Sequence, residues 1–473
     1  MRPSIVAALF LLPLACGDGS ATKVSGPPPD VAFAPHLDRR LDRTVGASSP
    51  QPAGNTVPTA APRGASPSGA APQPPLSSAT VGHLDGRDHL GHLFQRLAGL
   101  DDGRAHDDVR ILQYGDSHTA SDMGTAAFRH HLQARFGDGG RGFVSIGQPW
   151  KTYVQEGVRG YMTEQFEPER TRLKDPQSGG DGCFGLLGVG IAAAAPGARA
   201  WTQIAPRFSR VEIDYWQAPR GGSFDVFIDG ARAGRVATRA AQPGSGFFGF
   251  DVADAPHQVE VRTVGDGEVR VFGMTLDRAQ AGVVVDALGI NGAQIFTALR
   301  WNEDHFAEQV RHQAPDLVVL AYGTNEALDP KVEDAGYQQG LVDLLGRVSR
   351  AAPSAACMLL GPPDLARWTK GTRGYHTSPR ILEIEAIQRR VAGAAGCAFY
   401  SQIDAMGGPG SIATWAEEPD PRAQGDRTHL TREGYAQVGN ALATDLLLAY
   451  DEWRAETGLP PTGAPKTWNV ARR

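Results

Sequence analysis

Ser117 stands in Gly115-Asp116-Ser117-His118, where the apolar run 109–114 gives way to a polar segment able to start a helix. A serine hydroxyl is a poor nucleophile until a base takes its proton, and that base needs a partner to fix its tautomer. Most of the thirteen histidines stand singly, and His305 and His312 read as members of a solvated helix face. His429 differs, because Asp426 lies three residues before it in a Gly-preceded loop, ahead of a helix that begins near Thr431. On a turn, that spacing lets the carboxylate fold back on the imidazole, hold its tautomer and stabilise its protonated form. Plainer readings stand beside these: Ser117 as a helix cap, and Asp426 with His429 as the cap of the following helix.

Acyl transfer also needs donors aimed at the oxyanion of its tetrahedral intermediate. The stretches 289–294 (GINGAQ) and 322–327 (YGTNEA) both follow apolar runs. Gly292 offers a backbone N–H where a Cβ would obstruct approach, Asn325 offers a side-chain amide, and the N–H of Ser117 makes a third donor. Gly289 competes with Gly292 for the glycine's role, and either glycine is also an ordinary turn signal.

Such groups converge only if an ordered scaffold carries them. The run 109–114 reads as a strand, and Phe128, Leu132 and Phe136 then recur at helical spacing with Gly137 placed to end the helix. The short apolar runs GVVVDALG, DLVVLAYG, ACMLLGPPD and CAFYSQID alternate with helical stretches. This pattern predicts α/β architecture, a parallel sheet buried between helices. Its ligands belong at the carboxyl ends of the strands, where Ser117 falls.

Residues 197–280 break the rhythm. Val211, Ile213 and Tyr215 alternate onto one face, as do Phe224, Val226 and Ile228, and turns follow at short intervals. The spacing predicts an inserted all-β sandwich or jelly roll. Its Trp201, Tyr215, Trp216, Phe247 and Phe248 are candidates for stacking on sugar rings or for filling the core. Asp225, Asp229 and Asp251 offer calcium ligands or a solvated rim.

The 473 residues, 41% hydrophobic and 21% charged, suit a chain of more than one globular body. A formal net charge of −6 without a long basic block excludes an electrostatic footprint for nucleic acid. The apolar stretch IVAALFLLPLAC after Arg2 is too short to span a bilayer and reads as an export signal, residues 1–16. Cys16 resembles the lipid-modified cysteine of bacterial lipoproteins, although Pro13 departs from the usual Leu. Residues 17–82 are rich in Pro, Ala, Ser and Gly and read as a disordered tether. Residues 453–473 read as a loose tail. Cys357 and Cys397 each begin a strand; buried apolar residues are the favoured reading and a bridge between neighbouring strands the other.

Ser in GDS, Gly in GINGA, Asn in GTNE and His in DRTHLT, in that order, resemble the four blocks of the SGNH, or GDSL-type, hydrolase superfamily. More narrowly, ILQYGDSHTASD, the following FGDGGRGF and the β insert resemble bacterial peptidoglycan O-acetylesterases. His118 replaces the superfamily's commoner Leu, as it does in that narrower group. The resemblance implies a three-layer α/β/α flavodoxin-like fold, split into 83–196 and 281–452 by a carbohydrate-binding-module-like insert at 197–280. It implies Ser117 as nucleophile, His429 as base and then acid, Asp426 as its orienter, and Ser117, Gly292 and Asn325 around the oxyanion. It calls for no cofactor and no metal. The implied activity is removal of O-acetyl groups from a polysaccharide, with peptidoglycan N-acetylmuramic acid first, by an exported periplasmic or envelope enzyme. An O-acetyltransferase on the same scaffold, or a tethered carbohydrate-binding protein with a vestigial catalytic set, are the alternatives.

Overall fold

The computed structural model describes residues 82–171 and 180–459. The export segment, Cys16, the tether and most of the expected tail lie outside the described residues. The last helix, Arg432–Glu456, runs past residue 453, so the tail starts later than the composition suggests. Among the described residues no helix is long and apolar enough to cross a membrane.

Five parallel strands and one short antiparallel edge strand build the first sheet. Their order is Leu84–Asp85, Ala398–Tyr400, Ala356–Leu360, Leu317–Ala321, Val109–Gly115, Val283–Gly289. Numbered along the chain from Val109, the parallel strands run 2-1-3-4-5 from that last edge, the doubly wound flavodoxin-like order. Alternate residues leave the sheet on opposite sides. Ile111, Val285 and Val319 pack with Phe128 and Leu132 of helix Met123–Phe136 and with Leu446 of the last helix. Leu112, Leu288 and Leu320 pack with Val310, Leu341 and Ile384 from helices Glu303–Gln313, Asp334–Ala351 and Pro379–Ala395. Burial on both faces is why these strands read as continuous apolar runs.

The second sheet is antiparallel and has nine strands, the first at Gly140–Val144 and the last at Val269–Asp277. It therefore begins well before residue 197. Its early strands were hard to see because they are short and lack apolar alternation: Glu167–Arg170 carries Pro168, and Val189–Ala193 is built mostly of small residues. Strands Arg199–Gln217 and Gly244–Thr263 pair along almost their whole lengths, with register shifts at Asp251, Ala255 and His257. Such irregularities let long strands pass from one layer to the other. Ala200 and Ile204 from one half of the long strand share a core with Val211 and Ile213 from the other half.

Helix Glu303–Gln313 packs on this β body, which corrects the expectation that His305 and His312 sit on a solvated face. His305 is 4% exposed, its Nε2 accepting from the Gly185 N–H at 2.8 Å. His312 Nε2 lies 2.6 Å from Glu212, and its ring stacks on Phe247. A helix with so many polar residues looks exposed in sequence, and only the insert's position buries it.

Cys357 and Cys397 form a disulfide, so the favoured reading of two separate buried thiols is overturned. Strands Ala356–Leu360 and Ala398–Tyr400 are neighbours, pairing Met358 with Ala398, which brings the preceding cysteines' Cα atoms within 4.8 Å. Strand order, which a sequence pattern does not give, decides the pairing. Cys183 is a buried free thiol.

Candidate active site

The wholly buried strand Val109–Gly115 ends in a turn too tight for a side chain: a Cβ on Gly115 would lie 2.2 Å from Thr119 Oγ1 and 2.7 Å from the Ala321 carbonyl oxygen. Asp116 then starts the short helix Ser117–Ala120, its carboxylate accepting from the His118 N–H at 2.9 Å. The capping role thus falls to Asp116. The Ser117 hydroxyl is left for other work.

After that helix the chain turns at Asp122, which takes the left-handed φ of 57° that non-glycine residues rarely adopt. Its fully buried carboxylate receives Arg129, Arg141 and the Glu156 N–H, so Arg141 of FGDGGRGF braces the turn from the β body.

Asp426 and His429 come together locally. One carboxylate oxygen of Asp426 accepts from the N–H groups of Thr428 (2.9 Å) and His429 (3.0 Å), and the other lies 2.7 Å from His429 Nδ1. Thr431 is the cap of the following helix, accepting from the Gly434 N–H, so that helix needs neither Asp426 nor His429. Burial alone would raise the Asp426 carboxyl, but the hydrogen bonds from the His429 ring and the two N–H groups hold it below its usual value.

Across the gap, His429 Nε2 lies 3.0 Å from Ser117 Oγ. With Nδ1–H donated to Asp426, Nε2 keeps its lone pair and accepts the serine proton. The structure therefore unites Ser117, His429 and Asp426, which is what a hydroxyl needs to attack a carbonyl.

Asn325 opens the helix that follows strand Leu317–Ala321. Its Nδ2 donates to the Ala293 carbonyl at 3.0 Å and reaches Asp116 at 3.4 Å, so the amide is held between the two other strand ends. Gly292 has φ 75° and is exposed, and among the described residues no atom beyond its own chain neighbours lies within 4 Å of where its Cβ would be. The backbone turn, rather than crowding, calls for glycine there. Gly289 answers to crowding instead, since a Cβ there would strike Ala120 N at 2.1 Å. It packs under helix Ser117–Ala120, whereas Gly292 stands in the open. Among the described residues, neither the Ser117 nor the Gly292 N–H is taken by another protein group.

Several residues of this arrangement carried no motif. Glu326 is fully buried and accepts from the Ile295 (2.8 Å) and Gly323 (3.0 Å) N–H groups, tying the 290s turn to the Asn325 helix. Burial pushes its carboxyl up to about 8. Asn291 Oδ1 accepts from Trp150 Nε1 at 2.9 Å and from Thr152 Oγ1 at 3.3 Å, steadying the residue before Gly292 from 141 positions away. Burial likewise lifts Asp116 to about 7, opposed by its hydrogen bond from His118 and by the nearby His429. His118 is pushed down to about 3 by burial and then by His429, and its Nδ1 lies 2.8 Å from the Tyr435 hydroxyl. Glu326, Trp150 and Thr152 gave no signal, because nothing near them in sequence marks their partners.

The insert's candidates disperse. Tyr215 is core, Trp216 packs on Phe272 and His305, Phe247 stacks on His312, and Phe248 packs on Phe250. Trp201 stacks on the exposed Tyr161. Asp225 pairs with Arg232 and Arg235, Asp229 with His257, and Asp251 with Arg210. Those three carboxylates do not share a site, and among the described residues no cluster of metal-ligating side chains forms.

Residues 254–437 match the model of the GDSL-like lipase/acylhydrolase family. That span holds Gly292, Asn325, Asp426 and His429, while Ser117 lies ahead of it. Among solved structures, the chain is similar to a peptidoglycan O-acetylesterase at 26% identity, covering 76% of this chain and 96% of that one with a TM-score of 0.63. A family two carbohydrate esterase from Clostridium thermocellum (11% identity, 64% of this chain and 99% of that one, TM-score 0.24) superposes too poorly to inform the site. The same holds for one from Cellvibrio japonicus (14%, 62% and 98%, TM-score 0.24). No curated protein matches in sequence.

Proposed function

We propose that this chain, an SGNH-type hydrolase of ester bonds similar to a peptidoglycan O-acetylesterase, removes O-acetyl groups from the glycan of peptidoglycan outside the cytoplasm. The observation that carries the reading is the relay Ser117–His429–Asp426, with its contacts of 3.0 and 2.7 Å. Ser117 Oγ attacks the acetyl carbonyl as His429 takes its proton, and the charge on the carbonyl oxygen meets the N–H groups of Ser117 and Gly292 and Asn325 Nδ2, whose longer contact with Asp116 at 3.4 Å gives way to it. Collapse breaks the ester bond, and His429 gives its proton to the departing sugar oxygen. Water then attacks the acetyl-serine with His429 as base, releasing acetate and restoring the hydroxyl.

His429 and Asp426 are partly open to solvent, with side chains 35% and 47% exposed, so water reaches the acyl-enzyme without a channel. Export rests on the apolar segment after Arg2 and agrees with the Cys357–Cys397 disulfide, which suits an oxidising compartment. A lipid anchor at Cys16 is part of the same proposal.

The test is acetate release from O-acetylated peptidoglycan set beside acetylated xylan. The native chain should prefer peptidoglycan, and Ser117→Ala should lower turnover of p-nitrophenyl acetate by about a thousandfold or more. Full activity of that variant removes Ser117 from the mechanism. Equal or better activity on xylan removes peptidoglycan as the substrate.

A further inference from the structure

Next to the catalytic loop stands a two-stranded hairpin, Ala366–Thr369 with Gly374–Thr377, that belongs to neither large sheet. Its attachment is close. The Ala366 N–H donates to the Arg427 carbonyl at 3.1 Å, and the Arg427 guanidinium lies 3.7 Å over the Tyr375 ring. Arg427 sits between Asp426 and Thr428 at φ 50°, so the hairpin touches the turn that presents the acid–base pair. The hairpin base is firm. Ala366 is buried with Leu430 and Tyr435, and Thr377 Oγ1 accepts from the Gly410 N–H at 2.6 Å.

Beyond that base the hairpin opens to solvent with an unusual surface. Trp368 and Tyr375 are register partners and so share one face, their ring centroids 5.2 Å apart, and they are 55% and 36% exposed. Trp368 is the most exposed large hydrophobic side chain among the described residues. Arg367, Lys370 and Arg373 are exposed around them, and residues 366–377 contain no acidic side chain although the chain as a whole carries a net charge of −6. Among the described residues none of these three cations is paired with a carboxylate. Tyr375 is held by Arg427, but core packing does not account for Trp368 nor ion pairing for the three cations.

We propose that this hairpin is a glycan-binding element of the esterase site, stacking a sugar ring on Trp368, whose neighbour Tyr375 stands edge-on to it at 74° under Arg427, and drawing a carboxylate of the same polymer to Lys370 and Arg373. The inference rests on the peptidoglycan reading and deepens it. An aromatic face takes the C–H side of a hexose while the hydroxyls stay in water. The cations at the tip favour a glycan bearing carboxylates, as peptidoglycan does on its stem peptides or on lactyl groups without a peptide, over a xylan free of uronic acid branches. Because the hairpin contacts Arg427 in the loop of Asp426 and His429, it stands beside the half-open relay.

The readout is the ratio of acetate release from O-acetylated peptidoglycan to hydrolysis of p-nitrophenyl acetate, which corrects for any disturbance of the relay or of folding. If the native enzyme releases no acetate from peptidoglycan, the substrate reading fails and the hairpin proposal falls with it. If it does, Trp368→Ala should lower the ratio about tenfold or more and Trp368→Phe should keep most of it. Lys370→Glu with Arg373→Glu should lower the peptidoglycan ratio several-fold, more at low than at high salt, and leave the corresponding ratio for acetylated xylan unmoved. Ratios within twofold of native for both Trp368→Ala and the charge-reversed pair overturn the hairpin while leaving the substrate intact. An equal fall on xylan overturns the carboxylate.

Discussion

Ser117 and His429 meet at 3.0 Å, yet the segments that deliver them are built differently. Behind Ser117 lie a fully buried strand, the buried carboxyls of Asp116 and Glu326, and a turn at Asp122 gripped by Arg129 and Arg141. Around His429 the restraints come mostly from within its own loop: Asp426 holds the N–H groups of 428 and 429 and the imidazole, all within three residues. Ser117 is thus fixed by the fold, and His429 by a local turn open to water. One half is rigid because its polar groups are out of water and must be satisfied. The other can change protonation during turnover without charging the interior.

This contrast predicts that changes in the loop affect chemistry alone, whereas changes behind the nucleophile affect chemistry and stability together. The largest separation is expected for Asp426→Asn. Kinetics on p-nitrophenyl acetate should show kcat down by about a thousandfold, since the amide cannot stabilise the imidazolium or fix its tautomer. Thermal melting should stay within a degree or two of native, because the side chain is exposed and the amide oxygen still accepts N–H groups. A large drop in melting temperature would mean that the loop supports the fold and would remove the contrast. Asn325→Ala comes next. Losing one oxyanion donor should cost about a hundredfold in kcat with KM little changed. Here melting should also fall, since the amide links Ala293 to the Asp116 turn. Unchanged melting with the same kinetic loss would place Asn325 on the locally held side.

The same contrast explains what the sequence made legible. Asp426 and His429 could be read as a pair because their contact spans three residues, and Ser117, Gly292 and Asn325 because each follows an apolar run that had to be a buried strand. The order of those strands is not encoded in the runs themselves; it comes only with the resemblance to a flavodoxin-like fold. The bracing was not legible. Trp150 on Asn291, Arg141 on Asp122 and Glu326 on the 290s turn depend on where the β body sits, which no local period encodes. The β body's own edge strands were missed for a related reason, since edges need little apolar alternation. His305 and His312 look solvated in sequence because the surface that covers them comes from residues 185–247. Cys357 and Cys397 could be placed on strands, but only the order of the strands joins them.

The smallest expected effect bears on the buried side alone and is read from pH. Burial holds His118 down to about 3 from 6.5, so the unfolded chain takes up a proton there before the folded one does. Stability from this group is present above about pH 6.5 and drains away as pH falls toward 3. Asp116 works in the opposite sense. Its carboxyl is raised from 3.8 to about 7, so the folded state holds its proton longer, and the stability this confers is full below about pH 4 and lost as pH rises through 7. His118→Leu should therefore melt lower at neutral pH, having lost the contact with the Tyr435 hydroxyl, but its melting temperature should fall less steeply than the native one between pH 6.5 and 4. The slope is the quantity to compare. Parallel profiles for the two proteins would mean that His118 charges freely inside the fold. The nucleophile turn would then be as open to protons as the loop of His429, and burial could not be what distinguishes the two.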